Sequence, residues 1–134
     1  MREKPLVLIV DDEKDFSDIM KAKLEPLGFD TVSASSADES VKYADEYMPD
    51  LILMDIFMPP GASGTDAALT IKQNPKTKNM KIAFLTSLKD PWPGATGANE
   101  NVSRALGMED FLVKTDDLDV NLKKIREILA RKEE

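Results

Sequence analysis

The chain has no cysteine and no histidine. Without cysteine there is no disulfide and no thiolate metal site. Without histidine the commonest neutral-pH general base and transition-metal ligand are missing. Any metal held here must be a hard cation bound by oxygen, such as Mg²⁺. Long apolar runs are missing as well: none could span a bilayer. Only five apolar residues separate Met1-Arg2-Glu3-Lys4-Pro5 from Asp11, too few for a signal peptide. The expected location is therefore the cytoplasm, with no membrane partner. Positive charge is in deficit, with a net charge of −7, which argues against direct nucleic-acid binding. What remains is 134 residues, 42% of them hydrophobic, enough for one core and one domain over residues 1–134.

Leu51-Ile52-Leu53-Met54 runs straight into Asp55, and Pro59-Pro60 follows shortly. An apolar run this short, bounded by turn signals, reads as a strand buried on both faces. Asp55 falls at its carboxyl end, where ligand crevices of open α/β sheets lie. A buried acid is costly without a partner, so Asp55 asks for a reason. Leu6 to Val10 has the same shape and ends in Asp11-Asp12-Glu13.

A helix should follow, with Phe16, Ile19, Met20, Leu24 and Leu27 on one face and Asp12 as N-cap. Pro26 weakens its last turn and Gly28 suits the residue after it. Phe29–Ala34 reads as a strand. Ser36 then caps a helix with Glu39 as its capping-box partner, and Ala37, Val41, Ala44 and Met48 form the stripe. A short helix is expected from about Thr65 to Asn74 and a fourth strand over Lys81–Leu85, delivering Thr86. Lys89 to Asn99, with two prolines and two glycines, reads as a loop. A short helix over about Asn101–Leu106 should follow it. Asp110–Val113 is a fifth strand ending at Lys114, and Thr115 or Asp116 caps a last helix facing inward through Leu118, Leu122, Ile125 and Leu129. Strands alternating with helices predict an α/β fold, a five-stranded parallel sheet with helices on both faces.

The strand ends supply Asp11, Asp12, Asp55, Thr86 and Lys114. In a parallel sheet they share one edge. Each carboxylate pair at about 4 Å costs roughly 4 kcal/mol at an effective dielectric of 20. A divalent cation removes that cost, and acids with carbonyls and water suit Mg²⁺. A carboxylate nucleophile, a metal and a lysine are the parts that hold a phosphoryl group in transfer.

On Val10-Asp11-Asp12-Glu13, Leu53-Met54-Asp55-Ile56-Phe57-Met58-Pro59, Thr86 and Phe111-Leu112-Val113-Lys114, the sequence resembles a response-regulator receiver domain of two-component signalling, similar to the chemotaxis-type single-domain receivers. The resemblance covers nearly the whole chain. It implies a flavodoxin-like doubly wound sheet of strand order 2-1-3-4-5. It implies Asp55 as phosphoacceptor, Asp12 as a direct Mg²⁺ ligand, Asp11 as a ligand through water, and the Phe57 carbonyl completing the site. Thr86 would bond the phosphoryl group and draw inward, Phe111 would be the aromatic switch that follows, and Lys114 would pair with the phosphate. The implied donor is a sensor histidine kinase, a phosphotransfer protein or a small acyl phosphate, and the implied state a monomer or weak homodimer. Such a domain is no enzyme beyond its own phosphorylation and dephosphorylation.

The sequence departs from that family in three places. Thr115 follows Lys114 where the family has proline in a cis peptide. A cis bond before a non-proline costs about 2.5–4 kcal/mol, so a trans bond and an altered lysine approach are expected. The loop between Asp55 and Gly64 is about one residue longer than usual, and the Pro- and Gly-rich stretch after Thr86 is several longer. The positions that tune phosphoryl lifetime in the family are Phe57 and Leu88 here. Both are apolar, so neither orients an attacking water, and a lifetime of minutes or more is expected. Trp92, flanked by prolines, reads as an anchor of its loop in preference to a partner contact. Lys123, Lys124, Arg126, Arg131 and Lys132 read as a solvated helix face.

Three function classes compete. The first is a phosphorylation-controlled switch that acts on another protein or relays phosphate. The second is a receiver-like interaction module independent of phosphorylation, against which the full acid, threonine and lysine set argues. The third is a phosphohydrolase of the haloacid-dehalogenase type. That class needs Asp-x-Asp after strand one, and Asp11-Asp12-Glu13-Lys14 does not fit.

Overall fold

The computed structural model describes residues 4–56, 64–86, 110–114 and 117–130. In these residues β1 (Leu6–Val10), α1 (Lys14–Leu24), β2 (Asp30–Ala34), α2 (Ala37–Tyr47) and β3 (Leu51–Asp55) come first. Then follow α3 (Gly64–Gln73), β4 (Lys81–Thr86), β5 (Asp110–Val113) and α4 (Leu118–Ala130). All strand pairs are parallel, and the order is β2-β1-β3-β4-β5. The five-stranded parallel sheet and its order are those expected. The Lys89–Asn99 loop with Trp92, the Asn101–Leu106 helix, and the candidate caps Thr115 and Asp116 lie outside the described residues.

The alternation of side chains along each strand divides the core in two. Leu8, Val10, Ile52, Met54, Ile82 and Phe84 pack with Ala37, Ala44, Ala67, Ala68 and Ile71 of α2 and α3. Val7, Ile9, Leu51, Leu53, Ala83, Leu85 and Leu112 pack with Met20, Leu24, Ile125 and Ile128 of α1 and α4. Helices therefore cover both faces, and every residue of β3 is buried. This is why β3 reads as an unbroken apolar run where a half-exposed strand would alternate.

Local chemistry sets the helix ends. Pro26 converts the end of α1 into a 3₁₀ turn over Glu25–Leu27, closed by Gly28 at φ +97°. Ser36 caps α2 as expected, its Oγ accepting from the Glu39 N–H at 3.1 Å. The return contact is one residue earlier than a capping box requires. Glu39 Oε1 accepts from the backbone N–H and the Oγ of Ser35, each at 2.8 Å. These bonds to the charged form hold the Glu39 carboxyl below its usual range.

Three expectations need correction. Asp12 is not the N-cap of α1: Glu13 holds that place, without a side-chain cap. Ile19 and Leu27 are exposed, and Ser17 joins Met20 and Leu24 on the buried face. The helix is turned by about one position, which brings Phe16 to the sheet edge. Met48 leaves its stripe because α2 ends at Tyr47. Pro49 disfavours the right-handed region for Met48, and it sits left-handed at φ 49°, exposed.

At the carboxyl edge the chain passes close to itself. The Gly64 N–H donates to the Ile56 carbonyl at 3.0 Å, and a Cβ at Gly64 would overlap the Asp55 carbonyl oxygen. Backbone cannot yield as a flexible side chain can. Gly64→Ala is expected to cost about 1–3 kcal/mol, the range for forced overpacking, read as a lower urea midpoint at unchanged m-value. An unchanged midpoint would contradict this packing.

Candidate functional site

The acids arrive by way of β1 and β3. These central strands flank the point where the strand order reverses, the place where such sheets open a crevice. Asp11 is fixed as the chain leaves β1: its N–H donates to the Ala34 carbonyl at 3.0 Å and its Oδ1 accepts from the Glu13 N–H at 2.9 Å. Asp55 pairs in register with Leu85, and its successor Ile56 donates to the Leu85 carbonyl at 3.1 Å. Asp11, Asp12 and Asp55 each offer an oxygen lying within 4.8 Å of the others. Asp11 and Asp55 are buried, and Asp12 is exposed.

Lys114 enters from the end of β5. Its Nζ lies 2.6 Å from Asp11 Oδ2, 3.0 Å from Glu13 Oε1 and 3.2 Å from Asp55 Oδ2. The same Nζ stands 5.2 Å from the centre of the Phe16 ring, a cation–π arrangement. The buried acid that β3 carries thus has its partner. Burial works to discharge the ammonium. The Asp11 carboxylate, then Asp55 and Glu13, outweigh it and raise the Lys114 pKa above its ordinary value. A raised lysine pKa stabilises the fold fully below the unfolded value of about 10.4, and that contribution is lost as pH rises through the folded value. Lys114 therefore stays an ammonium across the neutral range.

Thr86 ends β4 in register with Val113, on the same sheet edge and one step beyond the Asp55–Leu85 pair. Phe111 lies in β5 in register with Phe84. The side chains of Thr86 and Phe111, and the whole of Phe57, Leu88 and the Lys114–Thr115 bond, lie outside what is described.

Two contributors were not read from the sequence. Asn121 is buried in α4 and donates from Nδ2 to the Val113 carbonyl at 3.0 Å. It ties the helix to the residue before Lys114. A polar residue on an inward stripe was the available signal, but the expected stripe ran through Leu122. Leu118, Leu122 and Leu129 are partly buried, whereas Asn121, Ile125 and Ile128 form the centre of the face. Glu13 is the second, through its contact with Lys114. Of the basic residues expected on a solvated face, Lys123 and Arg126 are exposed, Lys124 is half-buried, and Arg131 and Lys132 lie outside the described residues.

Oxygen donors alone, two of them buried, suit a hard divalent cation over a softer metal.

Residues 7–129 match the response regulator receiver domain family. The chain belongs to that family. Receiver domains are signalling domains, phosphorylated by histidine kinases, with a Mg²⁺ site in an acidic pocket. The chain is 28% identical over 127 residues to the phosphate regulon transcriptional regulatory protein PhoB of Rhizobium meliloti, covering 95% of this chain and 53% of that protein. It is 33% identical over 129 residues to the CAI-1 autoinducer sensor kinase/phosphatase CqsS of Vibrio cholerae, covering 92% of this chain and 17% of that protein. The chain spans about half the length of the first curated regulators it matches. Among solved structures, the non-phosphorylated HemR receiver domain of Leptospira biflexa superposes with a TM-score of 0.80 at 25% identity, covering 98% of each chain. The BeF3-activated receiver domain of Klebsiella pneumoniae RstA gives 0.78 at 25% identity, covering 94% of this receiver domain and 99% of that one. Among the described residues no helix is long and apolar enough to cross a membrane.

Proposed function

We propose that this receiver domain is a phosphorylation-controlled switch whose acceptor is Asp55. The observation that carries the reading is the buried Asp55 carboxylate set between a lysine at 3.2 Å and two further acids. A carboxylate oxygen of Asp55 attacks phosphorus. A P–O bond forms as the P–N bond to a kinase or phosphotransfer histidine, or the P–O bond of a small acyl phosphate, breaks. Asp12 directly, Asp11 through water, Asp55 and the Phe57 carbonyl would hold Mg²⁺, which when bound offsets charge on the phosphoryl oxygens. Lys114 supplies the second positive charge. Thr86 would bond a phosphoryl oxygen and Phe111 would follow it, changing a face that a downstream protein reads. The domain acts in the cytoplasm, as a monomer or weak homodimer, through protein contacts and not directly on nucleic acid.

The test is intact mass after incubation with acetyl phosphate. One phosphoryl group should be gained with Mg²⁺ and none with a chelator. No gain in either would favour the interaction module that needs no phosphate. The apolar Phe57 and Leu88 give a further expectation: the phosphoryl group should last minutes or more after donor removal. Loss within seconds would refute that part.

A further inference from the structure

We infer that Glu13 is a second seat for the Lys114 ammonium, taken up when a divalent cation occupies the acidic site. The inference rests on reading Asp11, Asp12 and Asp55 as cation ligands. The three acids that meet Lys114 are not equivalent. Asp11 and Asp55 are buried and belong to the group whose oxygens lie within 4.8 Å of one another. Glu13 stands outside that group with its side chain 66% exposed, yet its Oε1 is 3.0 Å from Nζ. Asp12 is in the group and makes no ion pair with Lys114 among the described residues. Lysine and cation thus share Asp11 and Asp55, and each has one acid of its own: Glu13 for the lysine, Asp12 for the cation.

A dication drawing on Asp11 and Asp55 weakens their hold on the ammonium and repels it. The Lys114 side chain is only 8% exposed. An ammonium evicted there without a carboxylate would be both buried and unpaired, which opposes entry of the cation. Glu13 removes that opposition. It already touches Nζ, so a small shift transfers the charge, and the Phe16 ring 5.2 Å away gives the ammonium a surface to move over. The Glu13 backbone is held by Asp11 Oδ1 at 2.9 Å. The residue carrying the second seat is thereby tied to an acid that would bind the cation. Glu13 is accordingly a positioning residue, acting on the cation through Lys114.

A double-mutant cycle on Mg²⁺ affinity tests this, by calorimetric titration of the wild type, Glu13→Gln, Lys114→Met and the double variant. Glu13→Gln should weaken Mg²⁺ binding about fivefold when Lys114 is present and less than about twofold when it is methionine, a coupling in the usual range for residues in contact. Equal losses in both backgrounds would mean that Glu13 acts on the cation directly, and would overturn the inference. So would an unchanged affinity in Glu13→Gln. If the wild type itself binds no Mg²⁺ at millimolar concentration, the cation site fails first and this inference with it. Should Lys114→Met not fold, solvent exchange of the Lys114 ammonium protons decides. With Mg²⁺ bound they should be protected in the wild type and exposed in Glu13→Gln, and equal protection would contradict a second seat.

Discussion

Asp55→Asn is expected to take up no phosphoryl group under conditions where the wild type takes up one. The amide has nearly the same shape as the carboxylate but lacks an anionic oxygen able to attack phosphorus. Asp11 and Asp12 are not expected to replace it. Asp11 spends one oxygen on the Glu13 N–H and the other on Lys114 at 2.6 Å, and Asp12 is exposed and makes no ion pair with Lys114 among the described residues. The loss should therefore be complete and not partial. It should also be free of unfolding. The amide oxygen still accepts from Lys114, and the Ile56 N–H to Leu85 carbonyl bond, 3.1 Å long, is untouched. The melting temperature should move by no more than an ordinary point substitution allows, about 1 kcal/mol in free energy. A phosphorylated Asp55→Asn protein would place the acceptor elsewhere.

Lys114→Met should lower stability in the absence of a divalent cation by about 2–4 kcal/mol. Breaking a buried ion pair by removing one partner typically costs 3–5 kcal/mol, because the other charge stays behind. Here two carboxylates stay behind, Asp11 and Asp55, whose side chains are 0% and 7% exposed. Methionine retains much of the packing, and the exposed Asp12 places solvent at the site's rim, so the expected loss is set about 1 kcal/mol below that range. Mg²⁺ should then restore stability, since a ligand of the folded state contributes about 2.7 kcal/mol at a hundredfold excess over Kd. The wild type should gain less, because there the cation competes with the lysine for shared oxygens. Urea melts of both proteins with Mg²⁺ and with a chelator give the four numbers needed. Equal stability of the two proteins in chelator would show that Lys114 does not neutralise the acids.

Short apolar runs alternating with helical patterns carried the fold. β1 and β3 are buried on both faces, so their sequences carry no ambiguity of side, and each ends in an acid that has no packing reason to be there. Helix faces were harder to read. On α1, Ile19 looks like a core residue, but Ser17 takes the inward place, and the helix starts one residue later than an Asp12 cap would put it. On α4, three leucines suggested a stripe displaced from the real one, and the polar Asn121 sits at its centre because it has a carbonyl to bond. The acids and Lys114 were legible because they follow buried strands whose ends share one sheet edge. The role of Glu13 was not, since an exposed glutamate after two aspartates reads equally well as a helix-start charge. Only the 3.0 Å contact with a residue 101 positions away distinguishes it.

The central claim is that Asp55 is where the phosphoryl group goes. Borohydride reduces an acyl phosphate to the alcohol, so a phosphorylated aspartate becomes homoserine and can be found by fragment mass. After treatment with acetyl phosphate and Mg²⁺, homoserine should appear at position 55 and nowhere else. Homoserine at position 11 or 12, or at no position while the intact mass shows a phosphoryl group, would contradict the account.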